Sequence, residues 1–133
     1  MTRIVDNEGI GALYATAVIK QTAGVFDLSE EHVGTAVCLD GNNTISHGVD
    51  GGGLLGCLEY VAGGYAAVQI GGVARLPVST AKTAPAVGNR VVVDGAGAVY
   101  QAPTLTDVPA GGAIGRGVVL RYDAESGTCD VLL

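Results

Sequence analysis

From Val33 to the C-terminal Leu133 the apolar residues fall into short runs, and glycine-rich turns break the runs apart. No other feature limits the fold as much. Alternation at every second residue belongs to strands, whose successive side chains point to opposite faces of a sheet. Val33–Leu39 shows it, with Val33, Thr35, Val37 and Leu39 on one side and small residues on the other. Thr44–Ser46, Leu54–Val61, Tyr65–Ile70, Val73–Val78, Arg90–Val93, Ala98–Gln101, Ile114–Tyr122 and Thr128–Leu133 follow as predicted strands. Asp40–Asn43, Ala62–Gly64, Asp94–Gly97 and Asp123–Gly127 supply turn residues between them. Gly71-Gly72 fits a bulge or tight bend, and Pro77 places its strand at a sheet edge or ends it. Gly48–Gly53, Ser79–Asn89 and Ala102–Gly112 read as loops. No long amphipathic helix intervenes, which argues against a doubly wound α/β fold. The expected fold is all-β: a small single-domain β-barrel or β-sandwich of short antiparallel strands.

Residues 1–32 carry no such pattern. Ile10–Ile19 (IGALYATAVI) has neither clean alternation nor a helical stripe, and suits a short helix, a strand or an extended arm. The chain is therefore divided into an irregular N-terminal segment, 1–32, a candidate arm, and a β-domain, 33–133.

Charge narrows the partners. The 133 residues carry 7 Lys and Arg against 13 Asp and Glu, a formal charge of -6. The basic residues Arg3, Lys20, Arg75, Lys82, Arg90, Arg116 and Arg121 are scattered along the chain. Binding to nucleic acid or to an anionic membrane surface needs clustered Lys and Arg, so neither partner is expected. No apolar run approaches the roughly 18 residues of a membrane-spanning helix. The start, MTRIVDNEGIG, lacks the basic-then-apolar order of a signal peptide, so synthesis and folding in a cytoplasm are expected. Cys38, Cys57 and Cys129 are too few for a disulfide framework and read as reduced thiols filling core sites.

No motif signals a reaction. Gly51–Gly56 matches G-x-G-x-x-G, but a strand rather than a helix follows it, and no acidic residue lies about 20 positions on. Cys38, His47, Cys57 and Cys129 lack the close pairing of zinc ligands, and His32 and His47 read as strand-end residues near solvent. Ser46 and His47 are adjacent and would point to opposite faces of a strand, with no nucleophile elbow. Cys57 lies in apolar sequence without a base nearby. Asp123, Glu125 and Asp130 surround the last turn; calcium could use such carboxylates, but their spacing matches no ligand loop, and a solvated hairpin tip is the plainer expectation. No catalytic, cofactor or metal residue is assigned, no cofactor is expected, and the chain is read as not an enzyme.

Several phrases point to a family when taken in order. They are Leu55-Gly56-Cys57, the run Ala67–Pro77 (AVQIGGVARLP), Ala86–Val91 (AVGNRV), Asp94–Val99 (DGAGAV), Ile114–Val118 (IGRGV) and the terminal Asp130-Val131-Leu132-Leu133. From Val33 onward this order resembles the small capsid cement, or head decoration, proteins of tailed bacteriophages; residues 1–32 have no counterpart. The resemblance implies a structural virion protein on the capsid exterior, a homotrimer that binds the major capsid protein and stabilises the mature shell. Val33–Leu39 and Val73–Val78 are candidate trimer-facing strands, and an N-terminal arm could add a strand to a neighbour.

The competing class is a non-catalytic carbohydrate- or protein-binding β-module. Glycan stacking needs aromatic faces. The chain has no Trp and only Phe26, but it has Tyr14, Tyr60, Tyr65, Tyr100 and Tyr122.

Overall fold

The computed structural model describes residues 5–107, 110 and 115–133. In chain order its strands are β1 (Leu13–Ile19), β2 (Gln21–Thr22), β3 (Val25–Phe26), β4 (Ala36–Leu39), β5 (Thr44–Ser46) and β6 (Gly56–Ala62). They continue as β7 (Tyr65–Gly71), β8 (Val73–Pro77), β9 (Val91–Val93), β10 (Val99–Gln101), β11 (Val118–Asp123) and β12 (Thr128–Leu132). The described helical structure is one 3-10 turn, Glu30–His32. The fold is all-β, as the alternation predicts. Ile114, the first residue of the strand predicted over Ile114–Tyr122, lies outside the described residues, as do residues 1–4 and part of the loop Ala102–Gly112.

β1, β5, β4, β6 and β7 close into a five-stranded barrel. All its pairs are antiparallel except β1 with β5, which run parallel through Val18–Thr44 and Ile19–Ile45. Ala17, Ile19, Leu28, Val37, Ile45, Leu58, Ala66 and Val68 fill its interior. Side chains alone fill a barrel this narrow. A three-stranded sheet, β11-β12-β8, and the β9–β10 hairpin cover part of the barrel's outer wall. A second core lies beneath them. Ala36, Cys38 and Cys57 from the barrel wall meet Leu76, Val91, Val93, Val99, Val119 and Val131 there.

Two expectations need correction. The division at residue 32 cuts through one folded body, because β1 lies in the first segment and is a barrel strand. It pairs with β7 from Leu13 to Val18 and buries Ala17 and Ile19. Deleting residues 1–30 would open the barrel rather than remove an arm. The candidate trimer-facing strands β4 and β8 are also largely committed to the core. Val37 points into the barrel while Ala36 and Cys38 point into the second core, and Val73, Ala74 and Leu76 of β8 are buried. The small residues in β4 face another protein layer, so its alternation marks two cores rather than core and solvent.

The turns follow their chemistry. Gly63 and Gly64 take φ of 58° and 84°, the pair of positive angles a tight two-residue hairpin loop requires. Pro77 ends β8. Arg116 fixes the two layers to each other. Its Nη1 donates to the carbonyls of Leu54 and Leu55, and its Nη2 to that of Ile70 at 2.7 Å.

Candidate functional site

The side chains that the sequence reading weighed and set aside as sites do not converge. Ser46 Oγ donates to Asp40 Oδ2 at 3.0 Å, while His47 Nε2 lies 3.0 Å from Thr35 Oγ1. The Thr35 hydroxyl donates to the His32 carbonyl, so it accepts from His47, which places the His47 proton on Nε2. Burial, helped by His32 across an edge-on ring contact of 5.1 Å, lowers the His47 pKa below its ordinary 6.5. His47 is a half-buried structural residue of the wall. Gly51–Gly56 is loop leading into β6, with Leu54 in the core, and no helix follows it to meet a phosphate.

The acidic group around the last turn also separates. Asp123 caps its own turn, accepting from the backbone of Glu125 and Ser126. Asp130 is not solvated at a hairpin tip: it is 3 % exposed, and both its oxygens accept from Arg75, at 2.8 and 3.2 Å. The reason is register, since Asp130 stands directly opposite Arg75 across β12 and β8. Among the described residues no three of His, Cys, Asp and Glu come together as metal ligands.

Cys38, Cys57 and Cys129 are free, buried and all in the second core. Burial pushes Cys38 up to about 11 and Cys57 and Cys129 up to about 12. The thiolate is the reactive form. The three should resist alkylation at pH 8 in the folded protein and all react after denaturation, as intact-mass measurement would show. Rapid labelling of any one under native conditions would contradict this packing.

What the structure does assemble is a surface. Along β6 and β7 the outer wall of the barrel begins beneath the second layer, at Cys57 and Gln69, and emerges into solvent. A bulge between Leu58 and Tyr60 marks the change. Beyond it, register puts Tyr60, Ala67 and Thr16 in one row and Ala62, Tyr65 and Val18 in the next, with Tyr14 beside Gln69 at the border. Tyr14, Tyr60 and Tyr65 are 54%, 63% and 58% exposed and Val18 is 41% exposed. This open face lies on three adjacent strands and carries large apolar side chains where a solvated wall would carry charge. Among the five tyrosines, Tyr60 and Tyr65 could have been placed together from sequence, because the Gly63-Gly64 loop pairs Ala62 with Tyr65 and so puts Tyr60 on the same side. Tyr14 could not, since it arrives through the long-range β1–β7 pairing. Tyr100 lies elsewhere, its hydroxyl donating to Asp50 at 2.8 Å.

Lys20, Lys82, Arg75 and Arg121 each pair with a carboxylate, and Arg116 is occupied by carbonyls. They leave no basic patch among the described residues. No described helix is long and apolar enough to cross a membrane. No protein-family model matches the chain, and a search of curated proteins finds no match to it.

Proposed function

We propose that the chain is a structural virion protein, a capsid cement or decoration protein, that binds the outside of the mature head and stabilises it. The observation that carries this is the open tyrosine face on β6, β7 and β1. A contiguous exposed apolar surface on a small folded domain marks a contact with another protein, and Tyr is enriched where such contacts concentrate their energy. The partner in this reading is the major capsid protein, and the chain acts as a homotrimer on the capsid exterior after synthesis in the host cytoplasm. It binds no nucleic acid or membrane, consistent with its charge and its engaged cations. It performs no reaction. Many modest contacts repeated over a shell stabilise it through multivalency.

The test is co-sedimentation with expanded, undecorated heads of the virus that encodes the chain. Saturable binding at a fixed ratio to the capsid subunit is expected. The triple variant Tyr14→Ser, Tyr60→Ser, Tyr65→Ser should keep its fold, because the three rings are exposed, and lose affinity. Each tyrosine central to the contact would contribute about 30-fold. Absence of binding by the unmodified chain would sink the proposal.

The same three tyrosines favour a second reading, a carbohydrate-binding module, since sugar rings stack on aromatic faces. A glycan array separates the two: hits abolished by the triple variant, without head binding, would establish the second reading.

A further inference from the structure

Phe26 is the only phenylalanine of a chain without tryptophan, and the fold leaves it 43% exposed. It stands on the β2–β3 hairpin, held by Asp27 N–H donating to the Lys20 carbonyl. Its ring lies over Gly64, so close that a Cβ there would come within 2.5 Å of it. Between this hairpin and the end of the β6–β7 hairpin runs an open groove of about 420 Å³. Ile19, Val25, Phe26, Leu28 and Val61 form its apolar walls. It adjoins the tyrosine face, because Ile19 N–H donates to the Gly64 carbonyl and Val18 pairs with Tyr65.

The groove is bordered by one sign of charge. Glu30 lines it, Asp27 lies between two of its wall residues, and Glu31 follows in the 3-10 turn. These three carboxylates are exposed, and among the described residues no lysine or arginine pairs with any of them. His32 Nε2 lies 3.7 Å from Glu31, and its Nδ1 accepts the Ser29 N–H. Nearby Lys20 is already held by Asp40 at 2.8 Å. Arg75, Lys82 and Arg121 each hold a carboxylate elsewhere.

We propose that this groove docks a basic protein segment, inserting a bulky apolar side chain between Phe26 and Val61 while flanking lysines or arginines meet Asp27, Glu30 and Glu31. An apolar slot with a rim of one charge suits such a segment: burial supplies affinity, and the rim selects against acidic partners and speeds encounter. The identification of the segment as part of the capsid subunit rests on the function proposed above; the chemistry of the groove does not.

The first probe is a short synthetic peptide with a central Leu-Phe pair between lysines and arginines. NMR titration should show saturable shifts confined to Val25, Phe26, Leu28, Val61 and their neighbours. Affinity should fall about fivefold or more on raising salt from 50 to 300 mM, as expected when rim charges are screened. Peptides with glutamates for the basic residues, or serines for the Leu-Phe pair, should not bind. Phe26→Ser removes a wall and could loosen the hairpin. The exposed pair Glu30→Lys, Glu31→Lys is therefore the parallel variant, and it should lose binding with an unchanged spectrum elsewhere. Shifts away from the groove, or equal affinity in the charge-reversed variant, would overturn the inference. The heads then separate the two proposals. If the unmodified chain binds heads and the charge-reversed variant binds equally, the groove inference fails and the cement function stands. If the peptide occupies the groove but the chain ignores heads, the groove stands and the cement function fails.

Discussion

Arg75→Leu is expected to lower folding stability by about 3–5 kcal/mol, the cost of breaking a buried ion pair by removing one partner. For a chain of this size that corresponds to a fall in Tm of roughly 10–20 °C. The Asp130 side chain is 4% exposed and takes hydrogen bonds from Arg75 on both oxygens, so its charge would be left without a partner in a place water barely reaches. Arg75 also bonds Glu8 at 2.9 Å and Asp6 at 3.0 Å, holding the segment before β1 against β8. Those two carboxylates are exposed and contribute far less, because surface pairs are typically worth under about 1 kcal/mol. A second substitution shows which effect dominates. If the cost is the stranded charge, adding Asp130→Leu to Arg75→Leu should recover much of the stability, since an apolar pair of similar size often replaces a buried ion pair at little cost. Urea unfolding of the single and double variants checks this. A double variant as unstable as the single would mean that the staple to residues 6–8 matters more than the buried pair.

The strands from β4 onward were legible because each is short, local in its turn and marked by glycine. The β6–β7 hairpin, the β9–β10 hairpin and the last hairpin each join neighbours in sequence, so their turn residues announce them. β1 was not legible for a physical reason. Its inward face carries Ala17 and Ile19, while its outward face carries Tyr14 and Val18, which are exposed in the isolated chain. With apolar residues on both faces, the period-two signal disappears. The parallel β1–β5 contact that helps close the barrel is a long-range pairing that no local pattern encodes. The same two-faced character that hid β1 makes it part of the candidate surface, because its outer side carries exposed Tyr14 and Val18. Asp130 was misplaced because nothing in its local sequence reveals that Arg75, on a strand 55 residues away, stands opposite.

Gly56→Ala is expected to cost about 3 kcal/mol, at the upper end of what overpacking a well-filled core usually does. Gly56 opens β6, pairs with Val37, and shares the inward-facing side of the wall with Leu58. A Cβ there would sit 1.9 Å from the Gln69 carbonyl oxygen and 3.2 Å from a Val68 methyl. The obstruction is backbone, not the end of a flexible side chain. Gln69 is itself fixed: its side-chain amide donates to the carbonyls of Gly71 and Val73, both at 3.0 Å. The methyl can be admitted only by separating β6 from β7, which strains the closure of the barrel and shifts the Cys57–Gln69 register on which the second core rests. Gly63→Ala gives the contrast. Gly63 has φ of 58°, where a side chain is strained, but nothing lies within 4 Å of the added atom. Its cost should be only the roughly 1–2 kcal/mol of a left-handed residue. Thermal unfolding followed by circular dichroism compares the two. A larger loss at Gly56 means that close strand approach, rather than turn geometry, limits this small barrel. A larger loss at Gly63 would mean that the hairpin turn sets the register and that β6 and β7 can part by a methyl's width without opening the wall.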